Sequence, residues 1–393
     1  MFLHIDCNTY FASCEVATNP ELEGKPVVVA NDNENGGGII LALTHEAKAL
    51  GLKRGIPLFK VRNLIKLNNV VIRQVDHKKY RQISHTIMNA VRQQDIVQDF
   101  VQYSVDEFFG TLPLTDPDEL RHYAKLVKDM IWATTHIPVS CGISQSYTLA
   151  KVATHYAKHY KGYGGICVLM PENRERALGL LDIADIWGIG RQNRQKLYAI
   201  GVHTGLEFAN SEEAQLQKLF SVAGLNTWRE LRGIPSINLS RPAQQRSIMQ
   251  SRTFAYMTDD QKKLEQSIRQ FAVDCASKLR AQQSVCRQVS VFLSTNRHRE
   301  DLDQYRNSGS VRLPSPTADT PIIVKSAVAA LEQVFRTGFL YKQAGVILSD
   351  ISQEEGMQLD LFSEPEDERH RKLMRIADAI NKKFGDDTVN FGK

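Results

Sequence analysis

The sequence predicts an α+β fold spread over several domains, and three observations carry that prediction. The chain is 393 residues long, more than one hydrophobic core ordinarily serves. Short apolar or alternating runs of strand character are mixed with longer segments of helical spacing. The stretch 234–249 (IPSINLSRPAQQRSIM) has two prolines, polar spacing and no clean period, and reads as a linker between domains.

The elements follow in order. FLHID is a short apolar run ending at Asp6, and NTYFASCEVA after it turns into a helix. GKPVVVAND is a strand, and Gly36-Gly37-Gly38 reads as a hairpin turn into the strand IILAL. THEAKALG is helical and closed by Gly51. Ile83, Ile87 and Ala90 give Tyr80–Val91 a helical face. Val101, Tyr103 and Val105 alternate as one half-buried strand that ends at Asp106-Glu107. A helix from Pro117 to about Thr134 and the strand IPVSCGI come next. From about residue 166 short helices and glycine turns take over, as far as Gly233-Ile234-Pro235. Beyond the linker, RTFAYM, VSVFLS, SVRLP and AGVILSDI are four strands with helices at Asp260–Gln282 and Ile322–Phe335 between them, a small α+β domain. A polar tail then encloses the apolar plug LDLF, and Leu373, Ile376, Ala377, Ile380 and Phe384 mark one amphipathic helix.

Composition narrows the class. Hydrophobic residues make up 42% and charged residues 24% of the chain, values that exclude a disordered protein. No run approaches the roughly 18–20 apolar residues of a membrane span, and MFLHID has no basic leader region, so a cytoplasmic protein is expected. The six cysteines are scattered without a CxxC pair, which favours free thiols over disulfides or structural zinc. The net charge is +5, with Lys and Arg recurring at 151–161, 191–196 and 229–252 and acidic residues gathered at 354–367. A basic body suits a protein that lies along phosphates.

Three carboxylates carry the chemistry: Asp6 and the adjacent pair Asp106-Glu107. Neighbours in a regular strand point to opposite faces, so Asp106 and Glu107 can share a metal only at a bend or strand end. Phosphoryl transfer asks little else of side chains, because two Mg²⁺ ions about 3.5–4 Å apart stabilise the attacking and leaving oxygens. On these residues alone, solvated strand-end carboxylates are the commoner case. Gly36–Gly38 is not a phosphate loop, since no GK[ST] follows it. His155 and His159 are spaced like half a zinc site without a third ligand, and read as surface residues around Lys158.

The surroundings change that balance. DCNTYFASCE at Asp6–Glu15, HEAKALGLKRGIP at His45–Pro57, SVDEFF at Ser104–Phe109 and GISQSYTLAKVATHYAK at Gly142–Lys158 occur in that order. With WGIGRQNRQKL (187–197), WRELRG (228–233), SRTF (251–254) and QLDLF (358–362), they resemble the Y-family, or translesion, DNA polymerases, nearest to the UmuC branch. The resemblance covers nearly the whole chain. It implies an α+β right hand: palm and fingers at 1–165 with the fingers inserted at about 20–75, a helical thumb at 166–233, the linker, a little finger at 250–351 and a tail at 352–393.

The resemblance also implies roles. Asp6, Asp106, Glu107 and the backbone carbonyl of Cys7 would hold two Mg²⁺ ions. Phe11, beside Tyr10 in the nucleotide site, falls at a steric gate, where an aromatic ring excludes a ribose 2′-OH. Lys48 and Lys158 match triphosphate-binding positions, and His45 stands where many relatives carry Tyr. Asn8 replaces an Asp common elsewhere. Gly188, Gly190, Arg191, Arg194 and Lys196 look like a helix-hairpin-helix whose amides meet a DNA phosphate, with Arg252 a further DNA contact. Gln358, Leu359, Leu361 and Phe362 resemble a motif that binds the bacterial sliding (β) clamp. Primer-template DNA, dNTP, a processed UmuD dimer and a RecA filament are the implied partners, and an error-prone primer extension past damaged bases, in DNA repair and the SOS response, is the implied activity. Relatives in that branch run somewhat past the position of Lys393. The rivals are a nuclease using the same carboxylates, which needs neither Phe11 nor Lys158, and a silent DNA-binding scaffold, which needs no carboxylates.

Overall fold

The computed structural model describes residues 1–31, 38–94, 97–239, 245–354, 368–385 and 388–389. The chain divides into two compact units, Met1–Pro242 and Ala243–Lys393.

In the first unit the order is β1 (Phe2–Cys7), α1 (Tyr10–Thr18), β2 (Val27–Ala30), β3 (Ile40–Leu43), α2 (His45–Ala49), α3 (Leu58–Leu67), β4 (Val71–Gln74) and α4 (His77–Arg92). Then come β5 (Gln98–Gln102), β6 (Glu107–Thr111), α5 (Pro117–Thr135), β7 (Val139–Ser144), α6 (Tyr147–His159) and β8 (Ile166–Val168). Five short helices complete the unit: α7 (Arg174–Gly179), α8 (Arg191–Ala199), α9 (Gly205–Asn210), α10 (Glu213–Leu219) and α11 (Val222–Leu231). The main sheet has the strand order β5-β6-β1-β7-β8. Its central strand β1 is antiparallel to both neighbours, and β8 runs parallel to β7. Residues 166–168, which from the sequence belong with the short helices, therefore close the edge of this sheet. A second, three-stranded sheet (β3-β2-β4) has its own core around Val28, Ile40 and Leu52.

One sequence expectation changes here in a way that matters for the site. The alternation Val101, Tyr103, Val105 is not one strand. β5 stops at Gln102, residues 104–106 bend, and β6 starts at Glu107. The Tyr103 and Ser104 amides both donate to the Glu107 carbonyl (3.0 and 3.1 Å), which closes the hairpin. The acidic pair thus sits at the start of a strand, with Asp106 in the bend, where neighbouring side chains are released from the alternation.

Helix α6 is seated unusually close to the sheet. Gly142 on β7 makes this possible: a Cβ there would lie 2.3 Å from the Ala150 carbonyl oxygen and 2.3 Å from the Thr154 amide nitrogen. All six residues of β7 are buried, in keeping with a strand covered on both faces. A buried carboxylate fixes the start of the helix. Glu230, at the end of α11, accepts the Thr148 amide (2.8 Å) through one oxygen and the Ser236 and Ile237 amides (2.8 and 3.1 Å) through the other.

The second unit is a four-stranded antiparallel sheet in the order β11-β10-β12-β9, made of β9 (Ile248–Thr258), β10 (Ser284–Thr295), β11 (Arg306–Thr317) and β12 (Tyr341–Gln353). Helices α12 (Gln261–Ala281) and α13 (Thr320–Val334) pack on it through Leu264, Phe271, Ile323 and Leu331, as the sequence predicts. The terminal helix α14 (Glu368–Phe384) is present, but it is rotated from the expected face. Met374 and Ala377 are buried, whereas Leu373, Ile376 and Phe384 are at least half exposed. The cause is an ion pair. Arg280 donates twice to Asp378 (2.7 and 2.8 Å), which turns that side of α14 inward. All six cysteines are free and buried. Among the described residues no helix is long and apolar enough to cross a membrane. The segment Gln358–Phe362 lies outside the described residues.

Gly142→Ala is the sharpest test of this packing. It should cost about 3 kcal/mol, the upper end for overpacking a filled core, because the obstructing atoms are backbone. Chemical denaturation of the purified variant measures the loss.

Candidate active site

The site grows from one pairing. On β1 and β6, Asp6 is opposite Glu107 and His4 is opposite Phe109. Directly opposed residues in an antiparallel pair project to the same face, so these four side chains form two steps of one ladder. Helix α6 covers that face with residues 147, 151, 154 and 158, spaced i, i+4, i+7 and i+11 along a single helical stripe. Each rung has a partner. Tyr147 meets the Phe2 ring edge-on at 4.5 Å, and Lys151 Nζ lies 2.7 Å from Glu107 Oε1. Thr154 Oγ1 is 2.8 Å from His4 Nδ1, and Lys158 Nζ lies 2.6 Å from Asp6 Oδ1.

The third carboxylate is placed by the hairpin bend. Ser104 Oγ accepts the Asp106 and Glu107 amides (3.2 and 3.1 Å) and donates its own proton to Asp106 Oδ1. The Cys7 amide donates to the Asp106 carbonyl (2.9 Å), tying the end of β1 to the bend. Asp6, Cys7, Asp106 and Glu107 all line one cleft of about 790 Å³, together with Tyr10, Phe11, Lys48 and Lys158. The carboxylates do not form a ready-made cage: among the described residues no three His, Cys, Asp or Glu side chains are gathered tightly enough to hold an ion. Two of them are instead neutralised by lysines and the third is held by Ser104.

Electrostatics shows the strain of that arrangement. Burial lifts the Asp6 carboxyl above its ordinary value; Lys158 pulls it down, Asp106 pushes it up again, and the net shift is upward. Burial, reinforced by Lys151 and Lys158, holds His4 well below its usual range, so it is neutral. Its 3.7 Å approach to Glu107 is therefore not an ion pair. Burial and then the charge of Lys158 lower Lys48, which shows two cations converging on the same space. Two like charges with room between them make a place for an anion. The hard oxygen donors at Asp6, Asp106 and Glu107 suit a divalent cation in the same way.

Phe11 is held by its neighbours. Its ring stacks on Tyr80 at 4.5 Å, and the His77 ring meets it edge-on at 5.8 Å. Tyr80 donates to Glu15 (2.7 Å), and Tyr10 donates to the Tyr80 carbonyl (2.7 Å), so α1 and α4 brace the ring from both ends. Glu15 is buried; burial alone would raise its carboxyl, but Lys79, Tyr80 and Arg73 outweigh this and lower it.

Other expected residues fall elsewhere. His45 is exposed at the first position of α2 and does not line the cleft; Lys48, three positions on, does. Lys53 and Arg54, between Gly51 and Gly55 with their positive φ, also line it, and a basic pair in a glycine turn was the available signal. Gly188 has φ 85°, and its missing Cβ leaves room for Thr227 Oγ1. Gly190 precedes α8 with open space where a Cβ would be, and Arg191 beside it is exposed. Arg194 follows one turn later and is half-buried. Lys196 is turned away: five positions beyond Arg191, it lies well round the helix and donates to the Leu219 carbonyl (2.9 Å). Arg252 is in the second unit, on the edge strand β9, where it shares a groove with Lys262 and Arg269. Lys151 has no motif of its own in the sequence, although its place seven residues before Lys158 puts it on the same helical face.

The chain is similar over its length to proteins already known. Residues 5–155 match the impB/mucB/samB family and residues 245–361 match that family's C-terminal domain. UmuC of Salmonella typhimurium is 33% identical over 397 aligned positions, which span the whole chain and 93% of that protein. DNA polymerase IV of Bacillus anthracis is 26% identical over 98% of this chain and 91% of its own length. Among solved structures, a chimera of the Y-family DNA polymerases Dbh and Dpo4 superposes with a TM-score of 0.69 at 21% identity, over 90% of this chain and 99% of that one. An insertion ternary complex of Dbh DNA polymerase gives 0.54 at 22% identity, covering 90% and 99%. The fold class is that of the Y-family DNA polymerases. Within that class the chain belongs to the impB/mucB/samB family, to which its full length is similar.

The upward shift of Asp6 has a sign that can be measured. An acid whose pKa rises on folding favours the native state at pH below its unfolded value and opposes it once deprotonated. Asp6→Asn should therefore raise the melting temperature of metal-free protein at pH 7, and the gain should vanish as pH falls below about 4. Differential scanning calorimetry across that pH range decides it.

Proposed function

We propose that this chain extends a DNA primer on a template, past damaged bases, by attack of the primer 3′-OH on the α-phosphate of a paired dNTP. The observation that carries the proposal is the single cleft in which Asp6, Asp106 and Glu107 meet Lys48, Lys158 and Phe11. A nuclease would need the carboxylates but neither the converging lysines nor an aromatic wall.

Each residue has a role in this reading. Lys48 and Lys158 bind the triphosphate as point charges, and Lys53 and Arg54 extend that basic wall. Lys158 exchanges its contact with Asp6 for the nucleotide. Phe11, fixed on Tyr80, excludes a 2′-hydroxyl, and Tyr10 supports it from the same helix. Asp6, Asp106, Glu107 and the Cys7 carbonyl would hold a pair of Mg²⁺ ions, which supply charge neutralisation at the attacking and leaving oxygens. The remainder of catalysis is alignment of primer and nucleotide, with no covalent intermediate. Residues 20–75 act as fingers and the short helices up to Gly233 as a thumb, where the Gly188–Gly190 turn, Arg191 and Arg194 grip a duplex phosphate without reading bases. Residues 250–351 act as a little finger, with Arg252 on the DNA. A cytoplasmic enzyme serving DNA repair and the SOS response, with a processed UmuD dimer and a RecA filament as partners, is the setting this reading implies. Gln358–Phe362 is assigned to the sliding clamp.

Primer extension on a template with an abasic site, with and without Mg²⁺, tests the reaction. Asp106→Asn should reduce extension by at least about 10³-fold, a loss typical of removing charge stabilisation at a phosphoryl site, while DNA affinity by fluorescence anisotropy is retained. Full activity in this variant overturns the assignment. Deleting residues 358–362 should abolish capture by immobilised β clamp and leave distributive extension intact.

A further inference from the structure

Lys151 has no place in the nucleotide cleft, yet it is closely enclosed beside it. Its side chain is only 17% exposed, and its Nζ lies 2.7 Å from Glu107 Oε1. Three aromatic rings surround the ammonium, with centroids at 5.3 Å (Tyr103), 5.7 Å (Phe109) and 5.2 Å (Trp187). The rings brace one another. Trp187 meets Tyr103 edge-on at 5.4 Å and donates its indole N–H to the Tyr103 hydroxyl (3.3 Å), and it packs on Phe109 at 5.7 Å.

The origin of the rings matters more than their number. Tyr103 and Phe109 flank Glu107 on the β5–β6 hairpin, so they report where that carboxylate is. Trp187 comes from a different part of the unit and directly precedes the Gly188–Gly190 turn. A lysine serving only to neutralise Glu107 would need no ring from there. A cation held over aromatic faces is attracted by each of them and loses all three contacts if it moves. The ammonium thus touches both the Glu107 carboxylate and the ring of the residue that leads into the Gly188–Gly190 turn.

We infer that Lys151 is a positioning residue that fixes the Glu107 carboxylate, and that Trp187 links this position to the seating of DNA at the Gly188–Gly190 turn. The inference rests on the role proposed above for Glu107. DNA that draws the turn into place also sets the third wall of the cage, and the cage sets Lys151 and Glu107. Primer-template binding thereby helps to order the site before nucleotide arrives.

Lys151→Met keeps the stem and its packing but removes the charge; Trp187→Leu removes the ring, and Trp187→Phe restores one. Lys151→Met should lower kcat for single-nucleotide incorporation about tenfold or more, with KM for dNTP and Kd for DNA changed by less than about twofold. Trp187→Leu should lower kcat about fivefold, and Trp187→Phe should recover most of it. A readout independent of turnover is the emission of Trp187, taken as the difference between native and Trp187→Phe protein. It should change when primer-template DNA is added without nucleotide, and Lys151→Met should remove more than half of that change. Unchanged kcat in Lys151→Met, or an undiminished emission response, overturns the inference. Glu107→Gln separates the two levels: if it keeps full extension, the role of Glu107 itself fails, and if it abolishes extension while Lys151→Met leaves kcat unchanged, only the role of Lys151 fails.

Discussion

The close approach of α6 to the central sheet is the constraint on which the rest depends. Without a side chain at Gly142, the backbone of Ala150 and Thr154 rests almost on β7. At that distance one stripe of a single helix can reach down the β1–β6 ladder and give each rung its own partner. Raise the helix by the width of a methyl group and the lysines reach the carboxylates only through water. Glu230 secures the same helix from its other end by satisfying an amide that the start of α6 leaves open. Glu230 also takes up the Ser236 and Ile237 amides, so the segment after α11 is anchored to the helix that supplies the cations.

The site stores repulsion rather than relieving it. Asp6 and Asp106 oppose one another's charge, and so do Lys48 and Lys158. Acids and bases offset each other across the cleft, Lys158 against Asp6 and Lys151 against Glu107. Sites of this kind sacrifice stability for readiness to bind.

Much of this was legible in the sequence, and the misses have physical causes. The four strands and helices α12 and α13 of the second unit follow period and turn chemistry closely, because each has one face on a single core. The β5–β6 hairpin is hidden because Val101, Tyr103 and Val105 keep the alternation of a strand while the chain turns on Ser104, whose hydroxyl bonds no periodicity reports. The face of α14 differs from its apolar pattern because an ion pair at Asp378 sets its rotation. The acidic residues, Phe11, Lys48 and Lys158 stood out through local motifs. Lys151 did not, since its meaning lies in rings supplied from residues 103, 109 and 187, a convergence that only folding creates. Lys196 shows the reverse: its motif position implies a DNA contact, and helix geometry directs it to the Leu219 carbonyl.

The burial of all six thiols has a chemical consequence. Desolvation pushes Cys14, Cys141, Cys275 and Cys286 to about 12 and Cys167 to about 11, and raises Cys7 as well. At neutral pH fewer than about one in 10³ of such groups carries the thiolate that peroxides and alkylating agents attack. Reagents that act on thiolates therefore find almost none among these six cysteines.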